Sequence, residues 1–202
     1  TERRDEAVRA WLESTYPAIA RRARAQGGEI HWADETGLSS RANYGRSFAP
    51  RGHTPVIRRT GKRFSQSMIS SLTNRGKLRF MIYEGALKAP IFLNFLQRLI
   101  REAARKLFVI VDNLPVHRAH RVTAWMHDNA ERIELFYLPP YAPENNPDEF
   151  LNNDLKQAMA RRRTPRDKAA LKSGLTSYMR SLQHCPAKVR TFFQAPSVRY
   201  AA

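Results

Sequence analysis

The chain has 202 residues, enough for one domain with a substantial core. Its 42% hydrophobic and 26% charged content is that of a globular protein, and its one cysteine, Cys185, excludes an internal disulfide and a thiolate zinc site. Thirty-five Lys and Arg against eighteen Asp and Glu leave a net charge of +17, which points to a polyanion: nucleic acid first, an anionic membrane surface second.

No apolar run approaches the roughly 18–20 residues of a membrane span, so no membrane partner is expected. There is no secretory pattern, and Thr1 in place of Met implies a chain cut from a longer one. A cytosolic setting is expected.

Residues 5–26 read as helical, with Val8, Trp11, Leu12, Thr15 and Ile19 at helical spacing and Pro17 as a kink or a second start. Gly27-Gly28 breaks the run, and 29–33 alternates as a short strand leading to Asp34. The stretch 41–63 holds Arg41, Arg46, Arg51, Arg58, Arg59, Lys62 and Arg63, three glycines and no acid. It reads as an extended loop or ribbon with its charge facing phosphates. Residues 64–73 and 78–83 are strands joined by an Asn74-Arg75-Gly76 turn. An amphipathic helix follows Pro90. The apolar run 107–111 predicts a central strand covered on both faces, ending at Asp112.

Beyond it the pattern predicts a helix over 117–130 and a strand over 133–138. Four prolines then stiffen 139–147. Asn146-Pro147-Asp148-Glu149 is a helix start, with Asn as N-cap and Pro in the first turn, and the helix runs to about Arg163. A helix over 166–183 and an irregular tail complete the chain. A hairpin followed by strand–helix–strand units predicts an α/β fold, a mixed five-stranded sheet with helices on both faces, which is ribonuclease H-like topology. The division expected is a helical lead-in at 1–28, the ribonuclease H-like domain at 29–165 and a helical extension at 166–202.

Three acids sit where strands end or helices begin: Asp34, Asp112 and Glu149, with 36 residues between the last two. Converging carboxylates are what hard divalent cations require. Each has a structural alternative. Asp34 lies in good turn chemistry and has Glu35 as a rival, although alternation lets only one of the two face a site. Asp112 ends a buried apolar run, where a carboxylate is costly unless paired or metal-bound. Glu149 stands at N3, where it could simply cap backbone amides, and Asp148 and Glu144 compete with it. His117 and His120 have metal-pair spacing but nothing to complete a zinc set. His117 is expected near the site, against phosphate or a carboxylate. The rings of Trp11, Trp32 and Trp125 read as core.

These motifs resemble the catalytic (DDE superfamily endonuclease) domain of bacterial insertion-sequence transposases of the mariner superfamily. The resemblance rests on Asp34-Glu35-Thr36-Gly37, on Arg51-Gly52-His53-Thr54-Pro55, on Asp112-Asn113 with His117, and on the twelve residues from Leu138 to Glu149. It covers roughly 5–165. The family often carries an aromatic, usually Trp, three residues past the catalytic Glu, whereas Asn152 and Asn153 occupy that region here. The family's N-terminal helix-turn-helix region has no visible counterpart, so the catalytic portion alone is expected.

The resemblance implies two Mg²⁺ (or Mn²⁺) ions per site, with Asp34 bridging, Asp112 holding one and Glu149 the other. Water would nick the strand, and the freed 3′-hydroxyl would attack target DNA. Double-stranded DNA, both transposon ends and target, is the implied partner, with a homodimer on DNA in the bacterial cytosol. Asn113, His117, Lys156, Arg161, Arg162 and Arg163 join the seven cations of 41–63 as expected DNA contacts. The alternatives are a ribonuclease H-type or structure-selective nuclease without strand transfer, and a catalytically silent DNA-binding module.

Overall fold

The structure, a computed structural model, describes residues 5–40, 50–53, 63–162 and 165–202. Arg41, Arg46, Arg58, Arg59, Lys62 and Arg163 therefore lie outside the described residues.

The first helical segment is α1 (Asp5–Ala10), a π turn (Trp11–Thr15) and α2 (Tyr16–Ala25). Pro17 explains the π turn. It has no N–H for the carbonyl four residues back, and its ring would crowd that carbonyl, so the ladder widens and Tyr16 donates to the Trp11 carbonyl. The strands are β1 (Glu29–Ser39), β2 (Ser65–Leu72), β3 (Leu78–Tyr83), β4 (Leu107–Val111) and β5 (Ile133–Tyr137). Their order is β3-β2-β1-β4-β5. The first three pair antiparallel and the last three parallel, so the mixed five-stranded sheet read from the sequence is the one present.

β1 runs six residues further than expected, because its pairing with β2 continues from Trp32 to Ser39. Asp34 thus lies within the strand, not at its end. β4 is buried at all five residues, as a central strand covered on both faces should be.

Two cores flank the sheet. On one face Trp32, Leu38, Met68, Phe108 and Ile110 pack against Ile19 of α2, Leu151 and Leu155 of α5 (Pro147–Ala160), and Leu171 and Leu175 of α6 (Lys168–Gln183). On the other, Ala33, Ile69, Val109 and Val111 meet Phe92, Phe95 and Leu96 of α3 (Ala89–Glu102) and Val122 of α4 (His120–Asp128). The expected helix over 117–130 is shorter, because a 3-10 turn (Pro115–Arg118) precedes α4. The tail contains α7 (Pro186–Thr191), which the sequence did not suggest.

The lead-in and the tail share the first core. Tyr200 meets Tyr16 and Trp32 edge-on at 4.9 and 5.7 Å, and Trp11 donates to the Tyr200 hydroxyl at 2.9 Å. Trp11 and Trp32 are core residues, as read. Among the described residues, no helix is long and apolar enough to cross a membrane.

The β2–β3 turn ties the sheet to α7. Gly76 has φ +88°, and a Cβ there would stand 2.6 Å from the Pro186 carbonyl oxygen. Gly76→Ala should therefore lower stability by about 2–4 kcal/mol, strain and overpacking together. A urea-unfolding midpoint unchanged from wild type would show that the turn moves independently of α7.

Candidate active site

Trp32 of β1 stands opposite Ile110 of β4 in parallel register. Two residues further along each chain come Asp34 and Asp112, so the register sets these carboxylates level at one end of the sheet. β4 has ended by then, which opens space beside β1 while β2 still supports it.

The first turns of α5 are fastened over this point. Ser70, the register partner of Asp34, donates to Asp148 Oδ1 at 2.8 Å. One turn later, Asn152 Nδ2 donates to Asp34 Oδ2 at 3.2 Å. Asp148 and Asn152 lie i, i+4 on one helix face, and Glu149 is thereby turned toward the opening. It lines a cavity of about 260 Å³ with Asp34, Asp112, Asn113, Tyr141 and Asn146. The structure separates Glu149 from its rivals: Asp148 is fully buried beneath the site, and Glu144 does not line the cavity. Asn146 caps α5 as read, accepting from Asp148 N–H at 3.1 Å. Its own N–H goes to the Pro143 carbonyl at 2.8 Å, so no capping bond from Glu149 is needed there.

Burial falls on a different aspartate from the one expected. The Asp112 side chain keeps 40% exposure past the strand end. It is Asp34 whose carboxyl is pushed up to about 8, first by desolvation and then by the charges of Glu149, Glu35 and Asp112. Burial also raises Asp148, with Asp34 next in effect, and raises Glu35, with Asp112 next.

Strand alternation divides the acids. Asp34 points to the α5 face, and Glu35 to the opposite one. Among the described residues, the group with ligand atoms all within 4.8 Å of one another is Glu35, Asp112 and His117, not the trio read from the sequence. Asp112 stands past the end of β4 and belongs to both groupings. The donor set suits a hard divalent cation, and Glu35 Oε2 is buried without a hydrogen-bond partner, as an oxygen awaiting one would be.

His117 is 1% exposed, packed on Phe92 at 4.5 Å, with Nδ1 3.1 Å from Asp112 Oδ1. Of the two contacts expected for it, the carboxylate is the one seen, that of Asp112. His120 is exposed at the start of α4 and takes no part. The Asn113 amide is committed within the fold, donating to the Leu138 carbonyl and accepting from Arg118 at 2.9 Å. Arg51, Arg63, Lys156, Arg161 and Arg162 are exposed, with Arg162 donating to the Gly174 carbonyl at 3.0 Å.

The sequence reading gave Ser70, Asn152 and Tyr141 no role in the site. The i, i+4 spacing of Asp148 and Asn152 was a readable signal, and so was the departure at Asn152. That polar residue stands where the family favours an aromatic, and it is held at 1% exposure against Asp34.

A protein-family profile described as DDE superfamily endonuclease matches residues 29–172. No curated protein sequence gives a significant match. Among solved structures, the chain resembles the Mos1 strand transfer complex (15% identity, TM-score 0.67), covering all of this chain and 64% of that one. It is similar in the same way to the mariner Mos1 paired end complex with Mg (14%, TM-score 0.68, all of this chain and 64% of that one). It also resembles the catalytic domain of Mos1 mariner transposase (12%, TM-score 0.62, all of this chain and 97% of that one). The chain thus spans about two thirds of the longer relatives and nearly all of the isolated catalytic domain.

The pH dependence has a definite sign. The folded-state value of Asp34, about 8, exceeds the ordinary carboxylate value of about 4. Between those values the folded chain holds the proton and the unfolded chain does not. The resulting stability is complete below pH ~4 and lost as pH rises to about 8. Thermal melts in chelator should fall across that window, with Asp34→Asn reducing the slope. Asn152→Leu removes a donor to the ionised carboxylate and should carry the decline above pH 8. Melting temperatures that rise through this window would contradict the burial of Asp34.

Proposed function

Since the chain belongs to the DDE superfamily endonucleases, we propose that it is the catalytic part of a DNA transposase, cleaving DNA at transposon ends and joining the freed 3′ end to a target. The observation that carries this is the level placement of Asp34 and Asp112 on neighbouring parallel strands, with Glu149 of α5 lining the same cavity. The similar structures, a paired end complex with Mg and a strand transfer complex, support the reading.

Asp34, Asp112 and Glu149 would hold the cations, two by this proposal, with Glu35 within reach of Asp112. Bound there, divalent cations supply Lewis acidity at the phosphate and an activated oxygen nucleophile. The protein's own part is orientation. Glu35 N–H at 2.9 Å and Asn152 at 3.2 Å fix the two oxygens of Asp34, each with a lone pair to spare. Leu114 N–H does the same for Asp112 Oδ1 at 3.1 Å, and His117 faces the same oxygen. Asp34 retains its proton near neutral pH in the metal-free chain, and its release accompanies ligation.

The partner in this proposal is double-stranded DNA, engaged as paired ends by a homodimer in a bacterial cytosol. Exposed Arg51, Arg63, Lys156, Arg161 and Arg162 would meet its phosphates, with the cations of 41–63 that lie outside the described residues. A nuclease that hydrolyses without joining would share this fold.

Two measurements test the proposal. Glu149→Gln should leave the melting temperature within a degree or so and reduce cleavage by roughly 10³-fold, the several kcal/mol that metal-assisted charge stabilisation supplies. With pre-cleaved end DNA, Mg²⁺ and a target plasmid, joined products support transposition; hydrolysis of RNA–DNA hybrid alone would sink it. Separately, Lys156→Ala with Arg161→Ala should make the dependence of log affinity on log salt shallower by about 1.8, near 0.9 per phosphate contact. An unchanged slope would remove both residues from the interface.

A further inference from the structure

Tyr141 has an unusual combination of backbone, exposure and place. It follows Pro140 in the turn after β5, with φ +57°, the one non-glycine residue with positive φ among the described residues. Turns that start with proline and need positive φ next normally use Gly or Asn there. A bulky aromatic in that region is strained. The residue is also 63% exposed; among the described large hydrophobic residues only Leu12, at 36%, is otherwise exposed. No other ring, cation or hydrogen-bond partner among the described residues engages it. The backbone strain opposes folding, and the exposed ring gains no burial within the described protein to offset it.

The location gives the reason. Tyr141 lines the cavity that holds Asp34, Asp112 and Glu149. Pro139 and Pro143 line the same wall, so the ring is carried on a stiff segment and its placement loses little further freedom on binding. An aromatic face fixed beside a phosphodiester-cleaving centre, on a chain of charge +17, suits the flat apolar face of a base.

We propose that Tyr141 is a stacking platform for an unpaired nucleobase of the DNA strand whose phosphate lies over the acids. The inference rests on the DNA-cleaving reading and extends it. The strand next to the scissile phosphate leaves the duplex, and one base packs on the exposed ring. The positive φ aims the ring at the cavity mouth, which Gly at this position could not exploit. Stacking of one base on an aromatic residue is worth roughly 5- to 150-fold in affinity.

The test uses binding and needs no cleavage. A single-stranded oligonucleotide containing 2-aminopurine is titrated with the full chain and with Tyr141→Phe, Tyr141→Leu and Tyr141→Gly. Stacking on the ring should quench the probe. Wild type and Tyr141→Phe should bind equally and quench; Tyr141→Leu and Tyr141→Gly should lose affinity within the 5- to 150-fold range and lose the quench. Tyr141→Gly, which relaxes the backbone, should also raise the melting temperature. Binding and quenching by Tyr141→Gly at the wild-type level would overturn the proposal. So would loss of binding in Tyr141→Phe, which would assign the contact to the hydroxyl. If the chain quenches the probe yet fails to cut DNA, the stacking platform stands and the transposase reading falls; the opposite pattern separates them the other way.

Discussion

The parallel register of β1 against β4 is the constraint on which the site depends. Fixing Trp32 opposite Ile110 puts Asp34 and Asp112 level without any contact between them. Shifting the register by one residue would move Trp32 and Leu38 from the α5–α6 core to the α3 face and put Glu35 where they pack. The apolar residues of a strand buried on both faces therefore hold the acids in position. Hydrophobic packing, strong and non-directional, sets a geometry that repelling carboxylates could not set for themselves.

That packing opposes a local electrostatic cost. Asp34, Glu35, Asp112, Asp148 and Glu149 gather at one end of the sheet, and burial is the largest influence on Asp34, Glu35 and Asp148. The fold relieves the crowding in part by directed donors: Ser70 to Asp148, Asn152 and Glu35 N–H to Asp34, and Leu114 N–H to Asp112. The remainder is left as raised proton affinity and as buried oxygens without partners on Glu35 and Asp148. A site with this balance is less stable empty than filled, as expected where ligand binding is part of the chemistry.

Local signals carried much of the fold. The uniformly apolar run of β4, the Asn74-Arg75-Gly76 turn and the Asn-Pro start of α5 each contain their own cause within a few residues, and each is present as read. What the sequence did not display was non-local. The extra length of β1 depends on β2 continuing alongside it, and Thr36 and Gly37 read as turn residues until that partner is known. The exposure of Asp112 and the burial of Asp34 follow from which neighbour stops first, a property of register and not of either motif. The facing of Glu35 toward His117 needs both the strand's phase and the 3-10 turn after Asp112.

Asn152 shows why a departure from a family pattern is best judged by what it touches. Read along the chain, the loss of an aromatic three residues past Glu149 suggests altered helix packing. In the fold the helix still docks, through Leu151 and Leu155 in the core, and the changed residue faces the site. A phenyl ring at that position could only fill space beside Asp34 and an indole could offer a single N–H with no acceptor, whereas the Asn152 amide donates to one of the Asp34 oxygens and leaves its own Oδ1 buried without a partner. One turn earlier, Asp148 Oδ2 is likewise buried and unpartnered. Two orphaned polar oxygens, i and i+4 on one helix face and both beside Asp34, make a polar floor under the acids in place of an apolar one. The sequence variation thus acts on the electrostatics of Asp34, while the leucines of the same helix keep the packing that holds it there.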